Sequence, residues 1–230
     1  MKNLCITLHL NTPLIPGKYP LNLDGLLYWS AYEGHKEDDA AAQLVLLKAL
    51  DSKDGIFKSS DMIYLQTPEA VITQSQAVFS TTMNWREFKY PMNKMSVMEL
   101  GGPYRSRLTT YSSVSVQAVR FYAVGDAKLI RFLIESVGFI GRGNNQGHGE
   151  ITEIAIEEID QDLSWYAVDA NGDTVLNRCL PAHVIAQNEH LNEQFSSVPT
   201  SVVRVSPPYP TSADQAGYTT TAKREVLSFI

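Results

Sequence analysis

Five glycines fall within the run Gly138-Phe139-Ile140-Gly141-Arg142-Gly143-Asn144-Asn145-Gln146-Gly147-His148-Gly149. Beyond Phe139 and Ile140, every side chain between them can hydrogen-bond or carries positive charge. Glycine tolerates φ > 0 and leaves its N–H uncovered, so a loop of this composition can form a concave nest of donors for phosphate oxygens. Arg142 would add a planar charged fork to such a nest.

Commoner phosphate loops are excluded by the order of elements. A dinucleotide-binding loop follows a strand and opens a helix, whereas here an amphipathic helix precedes the loop and an alternating strand follows it. The spacing Gly141, Gly143, Gly147 misses G-x-G-x-x-G, and no Gly-Lys-Ser/Thr follows. An extended polyanion lying across the loop fits better than a mononucleotide. Reversing the chain would need one or two glycines, and a cluster of five carries an entropic penalty that simple turning does not explain. The candidate RNA contacts are the backbone at Gly141, Gly143 and Gly147 and the side chains of Arg142, Asn144, Asn145, Gln146 and His148, suited to phosphate and 2′-OH groups.

A second constellation combines charge with aromatic rings. Trp85, Arg86, Lys89, Lys94, Tyr104, Arg105 and Arg107, interleaved with Phe88 and Tyr90, suit a clamp that stacks splayed bases and neutralises phosphates. A solvated surface loop is the competing reading. His148 could instead act as general base toward a ribose 2′-OH, which would make the protein a metal-independent endoribonuclease, with Arg142 and Tyr28 or His9 as helpers. One loop histidine is more simply a hydrogen-bonding group. His35, His183 and His190 form no metal spacing with Cys5 or Cys179, and no G-x-S-x-G context occurs, so neither metal, cofactor nor catalytic residue is expected.

The elements that must hold these residues can be traced along the 230-residue chain. Residues Asn3 to Asn11 alternate as a half-buried strand with Leu4, Ile6, Leu8 and Leu10 on one side. A proline-rich loop from Thr12 to Pro20 leads to Asp24, a plausible N-cap for a helix carrying Leu26, Leu27 and Trp29, with Tyr28, Trp29 and Tyr32 read as its core and rim. Helical spacing resumes from Ala40 to Leu50 after a charged patch, Glu33 to Asp39. Strands are expected at Met62 to Leu65, Val71 to Phe79 and, as one long element, Tyr111 to Val124. A helix with the stripe Leu129, Ile130, Leu133, Ile134 and Val137 closes at Gly138, and a bulged strand runs from Glu150 to Ile159. Asn171-Gly172 is the strongest hairpin signal. Residues 85–110 form an irregular basic insertion and 198–230 a proline-rich C-terminal extension, all within a single domain spanning 1–230.

Composition is that of an ordinary globular protein, with 44% hydrophobic and 19% charged residues. Two cysteines, no apolar run long enough for a bilayer and no signal-like N-terminus lead to the expectation of a cytoplasmic protein without membrane contact. The net charge of −6 argues against a non-specific nucleic-acid binder. Charge is polarised, however. Between Arg86 and Arg142 nine basic residues face four acidic ones, whereas Glu150 to Asp173 holds eight acids and no base. Such a chain can hold nucleic acid on one surface and meet protein or solvent on another.

The order strand, helix, strands, insertion, strand, helix, glycine loop, strand matches an α+β, ferredoxin-like (RRM-like) core with a β-hairpin or thumb insertion. Three stretches resemble the CRISPR-associated RAMP proteins. They are Thr12-Pro13-Leu14 with Leu23 to Trp29, Phe121 to Asp126 with Ile130 to Leu133, and the glycine loop from Gly138 to Glu150. Length and the proline-rich tail look most like the type IV effector subunit that holds the 5′ handle of the CRISPR RNA. This resemblance implies a non-catalytic subunit whose partners are CRISPR RNA, a backbone-forming RAMP subunit and other effector subunits, and target DNA beside the protospacer.

Overall fold

A computed structural model describes residues 1–17, 21–65, 73–81, 107–168, 171–209 and 212–219. Its centre is a four-stranded antiparallel sheet built from β1 (Lys2–Leu10), β4 (Ile63–Leu65), β7 (Ala118–Gly125) and β8 (Ile151–Glu158), in the order β4-β7-β1-β8. Between β1 and β4 come α1 (Leu23–Gly34), α2 (Asp39–Ala49) and the small hairpin β2 (Ser52–Lys53) and β3 (Ile56–Phe57). The hairpin strands β5 (Thr73–Thr81) and β6 (Arg107–Ser115) precede β7, and α3 (Ala127–Val137) joins β7 to β8. The architecture is α+β.

Alternation decides which face of the sheet is covered. Leu4, Ile6 and Leu8 of β1 and Val119, Phe121 and Ala123 of β7 are buried beneath the helices, where they meet Leu26, Leu27, Leu46, Ile130 and Ile134. The intervening residues, Cys5, Thr7 and His9 on β1 with Tyr122, Arg120 and Ala118 opposite them, form the other face. The register of β1 against β8 shifts between His9 and Leu10, the irregularity expected near the start of that strand.

Local chemistry explains the helix ends. Asp126 caps α3, its carboxylate accepting from the Leu129 and Lys128 N–H groups, and these bonds hold its pKa below the usual carboxylate value. Asp38 caps α2 in the same way, through Ala40 and Ala41, so part of the charged patch is a helix start. No helix among the described residues is long and apolar enough to cross a membrane.

Three sequence expectations are corrected. Asp24 is not the N-cap of α1. The cap position is Asn22, and Asp24 lies inside the first turn, fully buried. The strand expected from Tyr111 to Val124 is two elements, because β6 pairs with β5 in a separate two-stranded sheet while β7 enters the central one. Trp29 is 46% exposed, while Tyr28 is buried and Tyr32 half-buried.

Among the described residues after β8, further short elements follow. The Asn171-Gly172 signal lies between β9 (Tyr166–Val168) and β10 (Thr174–Leu176), which pair antiparallel. Then follow β11 (Leu180–Pro181), α4 (Ala182–Ala186), α5 (Glu189–Phe195), β12 (Ser201–Val203) and β13 (Gln215–Tyr218), with β11-β13-β12 forming one small sheet.

This part is fastened to the core through Arg178, whose side chain is fully buried. Its Nη1 donates to the Phe57 carbonyl at 2.6 Å, to the Ser59 carbonyl at 3.0 Å and to Ser59 Oγ at 3.1 Å. Nη2 donates to the Val205 carbonyl at 2.7 Å and to Asp24 Oδ2 at 3.2 Å, and Tyr209 Oη donates to Asp24 Oδ1 at 2.7 Å. Burial opposes the guanidinium charge, but Asp24, Tyr209 and Asp61 together outweigh it and hold the Arg178 pKa above its ordinary value. Burial, reinforced by Asp24, pushes the Tyr209 phenol well up.

Candidate nucleic-acid interface

The glycine loop is built onto the segment that leaves β1. Its rising side pairs with Ile15, whose carbonyl accepts from the Arg142 N–H at 2.9 Å, and its returning side reaches Pro13, whose carbonyl accepts from the Gly149 N–H at 3.1 Å. His148 Nδ1 lies 3.0 Å from the same Pro13 carbonyl, and the Glu150 N–H donates to Thr12 Oγ1 at 2.9 Å. Thr12-Pro13-Leu14 and the glycine loop, far apart in sequence, are therefore one structural unit.

Two glycines make this contact possible. Gly141 has φ +86°, and a Cβ there would lie 2.5 Å from Leu14 Cδ1 and 2.8 Å from the Ile15 carbonyl oxygen. At Gly149, φ is +71° and a Cβ would lie 1.9 Å from the Ile140 carbonyl oxygen. Neither position has room for a side chain.

Most of the loop's amides are engaged within this unit. The N–H of Ile140 donates to Gly149, those of Gln146 and His148 to Gly143, and that of Gly147 to Asn144, around a 3-10 turn over Asn144–Gln146. The Asn145 N–H is held by the Asn144 side chain. The N–H groups of Gly141, Gly143 and Asn144 have no hydrogen bond among the described residues, and the last two are successive along the chain. The donor nest is thus smaller than the glycine count suggests.

Side chains supply the rest. Arg142, Asn144, Asn145 and Gln146 are exposed, while His148 is half-buried against Gly143. Among the described residues Arg142 makes no ion pair, and the run Gly138 to Gly149 contains no acidic residue to neutralise it. What projects is one guanidinium and three amides on a hydrogen-bonded backbone. Such a set can grip phosphate and hydrogen-bond ribose or base without chemistry of its own.

The sequence-proposed clamp lies almost wholly outside the described residues. Trp85, Arg86, Lys89, Lys94, Tyr104 and Arg105 are among residues 82–106, and Arg107 opens β6, in register with Thr81. No group of three or more His, Cys, Asp or Glu side chains among the described residues is arranged to hold a metal ion. Sequence reasoning passed over Arg178 and Tyr209, and gave Asp24 the wrong task, because their partners come from distant parts of the chain.

The model of the family described as CRISPR type IV associated protein Csf3 matches residues 2–174, from β1 to the start of β10. The chain belongs to this family. The matched span includes the whole central sheet, its helices and the glycine loop, and it ends before Arg178. No curated protein matches the chain.

Proposed function

We propose that the protein is a structural subunit of a type IV CRISPR effector complex that holds the 5′ handle of the CRISPR RNA. The core is a ferredoxin-like RAMP fold within a single domain over residues 1–230, cytoplasmic and non-catalytic. It contacts the backbone-forming RAMP subunit and lies close to target DNA beside the protospacer. Family membership supports the CRISPR setting. The strand order β4-β7-β1-β8, with α1 and α3 as the crossovers, supports the ferredoxin-like core.

The observation that carries the RNA reading is Arg142. It stands exposed on a loop locked to Pro13 and Ile15, with amide side chains beside it and no acidic residue within the run. With the backbone already fixed, only the side chain itself remains to be ordered when it meets a phosphate. The basic, aromatic residues from Trp85 to Arg107 would complete the grip on the handle or meet duplex DNA.

An endoribonuclease is the second reading, and one contact favours it. If His148 Nδ1 donates to the Pro13 carbonyl, its Nε2 is the basic nitrogen, as a general base requires. One experiment separates the two. Full-length protein, with and without co-expressed complex subunits, is incubated with 5′-labelled repeat RNA in the absence of metal. We expect intact RNA to be retained, less so with Arg142→Ala. Cleavage that disappears in His148→Ala would move the protein to the processing enzymes.

A further inference from the structure

The face of the central sheet away from the helices carries a recess of about 270 Å³. This is somewhat below the range of drug-sized sites, roughly 300–1,000 Å³, and suits a group smaller than a whole nucleotide. Its floor is apolar, formed by Ala118, Ala155 and Leu65. Polar groups stand around it: Thr7, His9 and Gln117, with Arg120 and Glu157.

Register explains why these residues meet. Ala155, Thr7 and Arg120 form one row across β8, β1 and β7, and His9 and Ala118 belong to the next row, with Leu65 beyond them on β4. Glu157 stands opposite Cys5, one row further on the same face. Arg120 is held across the strands, its Nε donating to Thr7 Oγ1 at 3.4 Å. The recess also adjoins the glycine loop along the chain, because His9 leads through Asn11 and Thr12 to the Pro13 carbonyl that anchors the loop.

Charge selects the kind of ligand. An arginine and a glutamate in one recess nearly cancel, so a free phosphate gains little there, and the Glu157 carboxylate repels it. A neutral flat heterocycle with both donors and acceptors gains from both groups, and its ring can lie on the apolar floor. Guanine alone among the four bases presents two adjacent N–H donors, at N1 and N2, to a carboxylate, while O6 and N7 accept from an arginine.

Resting on the RNA-binding reading above, we propose that this recess takes one unstacked base of the RNA that crosses the glycine loop, with guanine preferred. Arg142 then holds the backbone, and Glu157 with Arg120 reads the base. Glu157 belongs to the acid-rich stretch that charge alone would assign to a surface turned away from nucleic acid. A carboxylate that repels phosphate is nevertheless the acceptor that the Watson–Crick edge of guanine needs.

The test uses the full chain at low salt with labelled hexauridine and with hexauridine carrying a single guanosine, adenosine or cytidine. The guanosine oligomer should bind about tenfold more tightly than hexauridine. Glu157→Gln should erase that preference, and Ala155→Phe, which fills the recess, should do the same. Arg142→Ala should weaken every oligomer alike and keep the preference. Equal binding of all four oligomers by the unaltered protein, or a guanosine preference that survives Glu157→Gln, overturns the recess while leaving the RNA reading intact. Absence of binding to any of them overturns both.

Discussion

Arg178 and Arg142 are the same residue type in opposite situations. Arg178 is 0% exposed and donates to three backbone carbonyls, to Ser59 and to Asp24, and only its Nε lacks a partner among the described residues. Arg142 is exposed on a hydrogen-bonded loop and pairs with no carboxylate among the described residues. The first is committed to the fold, and the second is available to a ligand. An arginine's role is therefore read from what already satisfies it, and the two should respond to mutation in opposite ways.

The largest effect is expected at the anchor. Removing one partner of a buried ion pair strands the other, so Arg178→Ala should destabilise the protein by about 3–5 kcal/mol in denaturant unfolding. Asp24→Ala should cost about as much, and the double variant should fall well short of the sum. Additive losses would mean that the two side chains do not act as a unit.

Next in size is the loop's footing. Gly149→Ala forces a Cβ against the Ile140 carbonyl at positive φ, and it should cost at least about 2 kcal/mol and weaken RNA binding together with stability. Gly147→Ala, where nothing lies within 4 Å of the added carbon, should cost less, limited to the strain of its φ of +81°. Equal losses at the two positions would show that the close approach of Gly149 to the Ile140 carbonyl does not set the loop.

Tyr209 sharpens the anchor further. Tyr209→Phe removes the hydroxyl that donates to Asp24 and should cost about 1–3 kcal/mol. Because burial and Asp24 raise the phenol's pKa, the folded state favours its protonated form. That stabilisation is complete below the unfolded value of about 10 and declines as pH rises beyond it toward the folded value. Unfolding followed into the alkaline range should show this decline, and Tyr209→Phe should flatten it. The smallest stability effect belongs to Arg142→Ala, within about 0.5 kcal/mol, as expected for a side chain with nothing to lose in the folded state.

The same contrast explains what could be read in the sequence. Local signals were sufficient for the glycine loop, for α3 with its stripe ending at Gly138, for the alternation of β1 and for the Asn171-Gly172 hairpin. Each depends on residues close together in the chain. The role of Asp24 was not legible, because a carboxylate at a helix start looks like a cap until Arg178, 154 positions away, is placed against it. The division of Tyr111 to Val124 into β6 and β7 was hidden for a similar reason: both halves favour strand, and only the partner strands separate them. The glycine loop was legible as a loop but not as one whose amides are mostly engaged, since those bonds depend on its own turns and on its packing against Pro13 and Ile15.

The most direct test of the account is the salt dependence of affinity for repeat RNA, compared between the unaltered protein and Arg142→Ala in assembled complexes. If Arg142 holds a backbone phosphate, the variant should bind more weakly at every salt concentration. The slope of log affinity against log salt should also fall by about one contact. Parallel lines of equal affinity would mean that Arg142 touches no phosphate, and the RNA-holding loop would have to be abandoned.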